Sequence, residues 1–478
     1  MGLAAALGLL TSCQAGSPGD EGVGEPPTHA ACQGLAVRAT IALSSGGEQL
    51  LSAALVDDPA RSEPGTLEVL DGLGEVVATA AVPRPQPVSI IAPPGEEGGV
   101  ASSSEGQLVT VVAPWPAGAH TVRLGSVEVS EPVCACLLGK ADGTRVDPEL
   151  VAGSGATAGR FDIVVLGDGY RAAELGTFRS DADRLATDLL GSEPYATYRG
   201  LINVWRVPVA STESGAGRND QAKKTAYGCR YGCFGLDRLI CCNGDKVHEE
   251  VQASLPSFDA VLLLVNDSEY GGAGDSSYAS VYHGPYMSDV ARHELSHQHG
   301  LRDEYTYANG FSVDAEPGDN CAGSAAGTPW QAWNGESGVG AFQGCASPLW
   351  FRPTDDGCLM KALGKPLCPI CREHVVTTIV GKAGSLATAA TPSPRSAPYL
   401  VSPGETTFSV TPATAAVEVQ WWFGGAEIDA SGPSYTPTAC AGGTLTARLV
   451  DRTPWVRNDP QHVLTQEVSW TLACGNGG

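Results

Sequence analysis

Two features are missing from this sequence: long apolar runs and an excess of basic charge. No stretch reaches the roughly 18 uninterrupted apolar residues that a membrane-spanning helix needs, so we do not expect a transmembrane protein. Lysine and arginine together number 29 against 53 acidic residues, and the net charge of -24 argues against a nucleic-acid-binding surface. Methionine is also scarce, with 3 in 478 residues, so the position of each methionine is informative.

Glycine and proline, in contrast, are abundant. The 60 glycines and 33 prolines imply many turns, which favours β-rich domains and long loops. Hydrophobic residues make up 42% of the chain and charged residues 17%, values that are typical of a globular protein. The chain is too long for one ordinary domain, and its length suggests about three.

The 15 cysteines fit an oxidising compartment better than a reduced cytosol. Several of them come in close pairs, as in loop-rich regions held by disulfides. The segment Cys368-Pro-Ile-Cys371 also has the spacing of a structural zinc site, but such a site needs a second pair and the nearest upstream cysteines are scattered. We therefore expect disulfides. The close pairs are Cys134 and Cys136, Cys229 and Cys233, Cys241 and Cys242, and Cys368 and Cys371.

The N-terminal segment predicts export. A short apolar run ends at Leu10-Thr-Ser-Cys13, which is similar to a bacterial lipoprotein signal with lipidation of Cys13. Glycine, proline, serine and acidic residues follow, so we interpret residues 1–33 as a signal and a flexible tether. The expected location is the outer membrane or the cell surface, with the periplasm or secretion as alternatives. Membrane contact is expected through the lipid anchor only.

Two domains are predicted in the first 383 residues. Between positions 34 and 140, short alternating segments are separated by turn residues, which is the pattern of a β-sandwich. The segment 161–170 is a buried-strand run that ends in a glycine turn, and residues 172–190 then show helical spacing. Strands that alternate with helices indicate an α/β domain, which we place at residues 155–383.

The C-terminal part returns to a β pattern. A stretch rich in alanine, threonine, serine and proline at residues 384–398 predicts a linker. Residues 399–478 then alternate between apolar and polar, which predicts a small immunoglobulin-like β-sandwich. Cys440 and Cys474 could join its two sheets by a disulfide. The predicted fold is multidomain, with an α/β domain flanked by two β-sandwiches.

A short histidine-rich segment carries the residues of a metal site. In an α-helix, His293 and His297 project from one face, one turn apart. Two imidazoles in this arrangement can bind one zinc ion at about 2.0–2.1 Å. Glu294, beside them, can take a proton from a bound water. Ser288 offers an N-cap for this helix, and Gly300 offers a C-cap where the chain leaves it.

A catalytic zinc ion keeps three protein ligands and one open position. In the metzincin pattern, the third ligand falls six residues after the second histidine, which here is Asp303. Glu304 is the second candidate, because a one-residue difference in the turn would exchange the two carboxylates. His299 is displaced by about 200° from His297 around the helix, so we do not expect it to bind the same ion.

Two further segments fit a zinc peptidase. Tyr278, Ser280 and Tyr282 belong to an alternating strand just before the helix, where zinc peptidases place an edge strand that pairs with the substrate. An ordinary sheet edge explains this pattern equally well. Met360 lies where metzincins carry a methionine turn beneath the metal, and core packing is the alternative explanation for this residue.

With these motifs, residues 161–380 resemble the bacterial IgA-peptidase-type zinc metallopeptidase family. The resemblance implies a metzincin-like catalytic domain behind an N-terminal β-sandwich, and it implies that Asp303 completes the zinc site. The cysteine-rich segments at 229–242 and 321–345 resemble elaborations of the family pattern. The matching segments are Val164-Val-Leu-Gly-Asp-Gly-Tyr170, Val265-Asn-Asp-Ser-Glu-Tyr-Gly-Gly272, the stretch from 293 to 305, and Cys358-Leu-Met360.

The function that we predict is hydrolysis of peptide bonds by an exported endopeptidase. One catalytic Zn²⁺ is held by His293, His297 and Asp303, and Glu294 is the general base. The expected partner is a peptide or protein substrate. Two alternatives remain at this stage: a surface-anchored binding or adhesion protein with a degenerate peptidase core, and a zinc amidase that acts on a non-protein substrate.

Overall fold

The computed structural model describes two parts of the chain. Up to residue 134 it describes the backbone of ten strands, and from residue 146 to residue 474 it describes all positions except 219–220, 234–235, 256, 276, 307–316, 393–397 and 440. The predicted signal and tether at residues 1–33, with the lipidation residue Cys13, lie outside the described residues, as do Cys136 and Cys440.

The N-terminal strands form two four-stranded sheets and one hairpin. The sheets have the orders β10-β2-β1-β7 and β4-β3-β8-β9, and strands of one sheet contact strands of the other. This arrangement lies within the predicted sandwich at 34–140. The strands are β1 Ala36–Ser44, β2 Gly47–Val56, β3 Thr66–Asp71, β4 Val76–Ala81, β5 Val88–Ile90, β6 Gly99–Ala101, β7 Gln107–Pro114, β8 Ala119–Leu124, β9 Val127–Ser130 and β10 Val133–Cys134.

The next strands build the central sheet and two small two-stranded sheets. The central sheet has the order β11-β13-β12-β16-β18-β17-β5-β6, so the hairpin of β5 and β6 extends it. The strands are β11 Glu149–Ala152, β12 Phe161–Asp168, β13 Ile202–Val207, β14 Gly217–Arg218, β15 Arg230–Tyr231, β16 Ala260–Val265, β17 Gly272–Gly274, β18 Ala279–Tyr282, β19 Phe342–Cys345 and β20 Ser347–Arg352.

The centre of this sheet is parallel. Strands β13, β12, β16 and β18 run in one direction, while β11 and β17 pair antiparallel with their neighbours. Every residue of β12 and β16 is buried, because both are apolar runs in strands that have neighbours on each side. The strand prediction for 161–170 is confirmed.

The helices follow their apolar spacing. In the first helix the helical spacing predicts one apolar face, of which Phe178, Leu185 and Leu189 are buried while Leu175 at its start is only partly buried. Among the described residues, no helix is both long enough and apolar enough to span a membrane. The helices are α1 Leu175–Leu190, α2 Tyr195–Tyr198, α3 Gly244–Ser254, α4 Met287–Gln298 and α5 Pro369–Ala383.

Two further sheets form the C-terminal part, with the orders β21-β23-β26 and β22-β28-β27-β24-β25. Their core contains Trp421, Trp470 and Phe408, and the two indole ring centroids lie 5.8 Å apart. The strands are β21 Ala387–Thr391, β22 Tyr399–Leu400, β23 Phe408–Pro412, β24 Val417–Phe423, β25 Ala426–Ser431, β26 Ser434–Tyr435, β27 Gly443–Asp451 and β28 Thr465–Ala473.

Three predicted boundaries are wrong in detail. The linker at 384–398 contains β21, which pairs with β23, because small residues can form a strand when a partner supplies backbone hydrogen bonds. The α/β part starts before residue 155, since β11 pairs with β13. It also receives β5 and β6 from within the predicted sandwich at 34–140. Composition alone does not reveal such pairings between distant segments.

The cysteines whose side chains the structure describes fall into two groups. Disulfides join Cys229 to Cys242, Cys233 to Cys241 and Cys321 to Cys345, and Cys474 is also disulfide-bonded. In contrast, Cys358, Cys368 and Cys371 are buried free thiols. The disulfide prediction is therefore wrong for Cys368 and Cys371.

Candidate metal centre

Helix α4 presents the histidine motif from the centre of the fold. It contacts β16, β17 and β18 of the sheet, and its apolar residues Val290, Ala291 and Leu295 are buried. The helix begins at Met287, one residue before the predicted N-cap Ser288, whose hydroxyl bonds Asp188 instead. After the C-cap the chain turns at glycine 300, with a φ of 94° that favours glycine.

Backbone carbonyls orient both histidine rings. The Nδ1 atom of His293 lies 3.1 Å from the carbonyl oxygen of Leu359, and Nδ1 of His297 lies 2.9 Å from that of Leu301. Because a carbonyl oxygen only accepts, each Nδ1 carries the proton and donates. In the neutral imidazole, each Nε2 then offers its lone pair to the side where the two rings converge. This arrangement is typical of histidines that bind metals.

The carboxylate of Asp303 lies where the Nε2 atoms of the two histidines converge. Its Oδ1 atom is 3.0 Å from Nε2 of His293 and 3.6 Å from Nε2 of His297. A tetrahedral site with bonds of about 2.0–2.1 Å has edges of about 3.3 Å, which lies between these two distances. Two nitrogens and one carboxylate oxygen are also the ligand types that catalytic zinc takes. The three side chains therefore fit a zinc ion.

Glu294 is buried beside this group. Its Oε2 atom lies 3.8 Å from Nε2 of His297, and His293, Glu294 and His297 form one of two described groups that could hold a metal ion. Strand β17 packs directly against this carboxylate. A Cβ atom on Gly274 would lie 2.8 Å from Oε2 of Glu294 and 2.6 Å from its carbonyl oxygen. Glycine is required for this close approach.

The loop that contains Met360 contacts His293 through its backbone. Met360 is fully buried, and its carbonyl oxygen accepts a hydrogen bond of 2.8 Å from the backbone N–H of Glu304. The preceding residue, Leu359, supplies the carbonyl that holds His293. The predicted methionine-turn residue therefore lies in a loop that contacts the histidine helix and the segment containing Asp303.

The side chain of Glu304 points elsewhere. Its Oε1 atom accepts a hydrogen bond of 3.1 Å from the thiol of Cys371 and one of 3.3 Å from the amide of Asn320. Glu304, Cys358, Cys368 and Cys371 form the other described group that could hold a metal ion. The two adjacent carboxylates thus face two different groups of side chains: Asp303 faces the histidines and Glu304 faces the cysteines.

Burial and neighbouring charges act in opposite directions on the titratable groups. Burial lowers the pKa of His297 to about 4, which favours the neutral imidazole that a metal needs. Burial also acts to lower the pKa of His293, but the hydrogen bond to Asp303 and the charge of Glu294 outweigh it and raise that pKa. Burial raises the pKa of Glu304 well above its ordinary value.

The predicted substrate strand is not a free edge. Strand β18 pairs with β16 on one side and β17 on the other, so its main chain is already hydrogen-bonded. The hydroxyls of Tyr278 and Ser280 bond the carbonyls of Cys242 and Ile240. Alternation alone could not show that the glycine-rich segment before β18 returns as its partner. The edge-strand prediction is therefore wrong for these residues.

His299 is buried away from the other two histidines of the motif. Its Nε2 atom lies 3.1 Å from the hydroxyl of Tyr195, and its ring stacks on Phe161. Two glycines that no sequence motif indicated, Gly272 and Gly274, also border the site. The signal was present in the run Gly271-Gly-Ala-Gly274, which is unusually free of side chains for a strand.

Two converging histidines and two buried carboxylates, Glu294 and Asp303, form a group that could hold a metal ion, which is the type of arrangement that metal-dependent hydrolases use. A comparison with family models matches residues 150–320 to the family described as IgA Peptidase M64. The predicted resemblance is confirmed over these residues, and the match implies a peptidase. No curated protein matches the chain.

Proposed function

We propose that this protein is an exported zinc-dependent endopeptidase. The observation that carries the proposal is the convergence of His293, His297 and Asp303 beside the buried Glu294. The peptidase family match over residues 150–320 covers all four residues and supplies the reaction class. Zinc, the roles of the individual residues and export are our own assignments.

His293, His297 and Asp303 would hold the ion through Nε2, Nε2 and Oδ1. A bound zinc ion would lower the pKa of a water ligand toward about 7 and polarise the scissile carbonyl. The carbonyls of Leu359 and Leu301 keep both imidazoles in the tautomer that leaves Nε2 unprotonated. These contacts also fix the ring planes, so that little reorganisation is needed when the ion binds.

Glu294 acts as the general base. Its carboxylate takes a proton from the attacking water and delivers it to the nitrogen of the leaving amine. Oε2 of Glu294 lies 3.8 Å from Nε2 of His297 and therefore borders the position that the histidines would offer to an ion, while β17 packs against the same carboxylate. Strand β17 thereby restricts the positions that this base can adopt.

The two alternatives are less well supported. An adhesion protein with a degenerate core does not require three ligands and a base, yet this chain retains all four. A zinc amidase would use the same four residues, but the family match favours a peptide substrate. The N-terminal and C-terminal sheets then act as accessory parts of the peptidase.

A diverse peptide library, incubated with the purified protein with and without a zinc chelator, tests the proposal. We expect cleavage of internal peptide bonds that stops with the chelator and returns with added Zn²⁺. Cleavage that the chelator leaves unchanged contradicts the zinc mechanism. An absence of peptide cleavage, combined with hydrolysis of non-peptide amides to an amine and a carboxylate, favours the amidase.

A further inference from the structure

A second group of potential metal ligands lies next to the histidine site. Glu304, Cys358, Cys368 and Cys371 are all buried, with exposed fractions between 0% and 2%. One ligand atom from each lies within 4.8 Å of those from the other three. The four residues come from three separate segments of the chain, and we call this group the cysteine cluster.

The spacing of the cysteine cluster matches a tetrahedral zinc site. The Sγ atoms of Cys358 and Cys371 are 3.7 Å apart, which is far longer than the roughly 2.05 Å of a disulfide. Bonds of about 2.3 Å from zinc to sulfur give an S···S edge of about 3.8 Å. Glu304 Oε1 lies 3.1 Å from Sγ of Cys371 and 3.7 Å from Sγ of Cys368, around the expected O···S edge of about 3.5 Å.

The backbone around the cluster favours thiolates. The N–H of Cys368 points at Sγ of Cys358 at 3.3 Å, and the N–H of Cys371 points at Sγ of Cys368 at 3.5 Å. Cys368 is the N-cap of α5, and Pro369 is the first residue of that helix. The positive end of the helix dipole lowers the energy of a negative sulfur at this position.

One atom of the cluster indicates that a cation belongs there. Among the described residues, no hydrogen-bond partner reaches Oε2 of Glu304, although this atom is fully buried. A buried carboxylate oxygen without a donor is energetically costly, and three neighbouring sulfurs supply no positive charge. A cation between the four side chains would compensate the carboxylate and the thiolates together.

We propose that the cysteine cluster is a second zinc site, distinct from the histidine site and structural in role. Three thiolates and one carboxylate favour Zn²⁺ over the hard cations Mg²⁺ and Ca²⁺. Four protein ligands close the coordination sphere and leave no position for substrate, as in structural zinc sites. This proposal does not depend on the peptidase activity.

An ion bound at the cysteine cluster would also hold the neighbouring residues of the histidine site in position. Glu304 directly follows Asp303, and its backbone N–H bonds the carbonyl of Met360. Cys358 begins the loop in which Leu359 holds the ring of His293. A metal bound at the cysteine cluster would therefore fix the Asp303 segment, the loop of Met360 and the start of α5 relative to one another.

Zinc analysis of the whole protein tests this proposal. We expect two zinc equivalents in the wild-type protein and one in the variant His293→Ala/His297→Ala. In the cobalt-substituted double variant we expect the intense charge-transfer absorption that only thiolate-bound Co²⁺ gives. Cys368→Ser in the double-variant background should remove this absorption and the remaining zinc. The double histidine variant is essential, because its result does not require a cysteine variant to fold.

The outcomes separate the two sites. One zinc in both the wild type and the double variant, with the thiolate absorption, supports the cysteine cluster and contradicts a metal at the histidines. A double variant without zinc overturns the second site.

Alkylation without reductant, in denaturant and chelator, provides an independent test. It should label Cys358, Cys368 and Cys371, whereas the disulfide-bonded pair of Cys321 and Cys345 stays unlabelled as an internal control. A disulfide between any two of the three cysteines would overturn the proposal.

Discussion

The Nε2 atom of His293 lies 3.0 Å from Oδ1 of Asp303, although neither atom carries a proton in a metal site. Two acceptors approach so closely only when a proton or a cation lies between them. The next residue, Glu304, turns its carboxylate to the cysteine cluster instead. Two adjacent acidic residues therefore face two different groups of side chains, and the effect of each residue on metal binding can be measured separately.

Asp303→Ala and Glu304→Ala should each remove a different ion. Asp303→Ala should lose the zinc of the histidine site and the activity, yet keep the thiolate absorption of the cobalt-substituted protein. Glu304→Ala should weaken or lose that absorption, because it removes one ligand of the cysteine cluster. Metal analysis with cobalt spectra of both variants distinguishes them. The reverse pattern would make Glu304 the third ligand of the histidine site.

Glu294→Gln should abolish most activity while zinc stays bound. The amide preserves the size of the side chain but cannot accept the proton of water, and loss of a general base lowers rates by roughly 10²–10⁴-fold. The matched control is Glu427→Gln, because Glu427 is exposed on a C-terminal strand. Peptide cleavage and zinc content are measured together. Full activity in Glu294→Gln would refute the assigned role.

Gly274→Ala should disturb Glu294 without touching any ligand. The new Cβ would fall 2.8 Å from Oε2 of Glu294 and 2.6 Å from its carbonyl oxygen, so strand β17 or helix α4 must move. We expect a fall in kcat of about tenfold or more, since displacement of a base by about 1 Å can cost 100-fold. Gly176→Ala is the control, because no atom lies within 4 Å of its Cβ position. Equal kcat in Gly274→Ala and the wild type would contradict the close packing.

The histidine motif could be predicted from the sequence because its residues are close together in the chain. A helix places residues four apart on one face, and the turn after Gly300 brings Asp303 back within a few residues. The family resemblance could be recognised for the same reason, since its motifs are also short and local. The roles given to His293, Glu294, His297 and Asp303 stay predictions until they are measured.

The cysteine cluster could not be assembled from sequence spacing. Its ligands come from the segment after α4, the loop of Met360 and the start of α5, which only the fold brings together. The cluster does not consist of two cysteine pairs, because a glutamate, Glu304, takes the fourth position. The prediction of a free edge strand was wrong for a similar reason. Strand β17, which covers that edge, is too short and too rich in glycine to be recognised as a strand from the sequence.

Cys13→Ser tests the predicted location. A lipidated Cys13 would hold the protein to a membrane, because bacterial lipoprotein modification supplies more than one acyl chain. We expect the variant to leave the membrane fraction or to accumulate as an unprocessed precursor, measured by fractionation and mass spectrometry. Ser12→Ala is the control, since a small residue remains before the cysteine. A variant of mature, processed mass that still sediments with membranes after a high-salt wash would contradict the lipid anchor.

The last prediction concerns His248 in α3, which stacks on Phe258. Burial lowers the pKa of His248 from 6.5 to about 4, and among the described residues neither ring nitrogen has a hydrogen-bond partner. Between pH 6.5 and about 4, the unfolded chain therefore binds a proton at His248 and the folded chain does not. The contribution of neutral His248 to the free energy of unfolding is complete above pH 6.5 and is lost as the pH falls toward 4.

A shift of this size corresponds to about 3 kcal/mol over that interval. We expect His248→Leu to flatten the fall in urea midpoint between pH 6.5 and 4, relative to the wild type. His462→Asn is the control, because His462 is exposed and asparagine tolerates its φ of 55°. Carboxylates contribute to acid unfolding in all three proteins, so the difference between their slopes isolates the histidine. Parallel slopes for His248→Leu and the wild type would show that His248 titrates alike in the folded and unfolded chains.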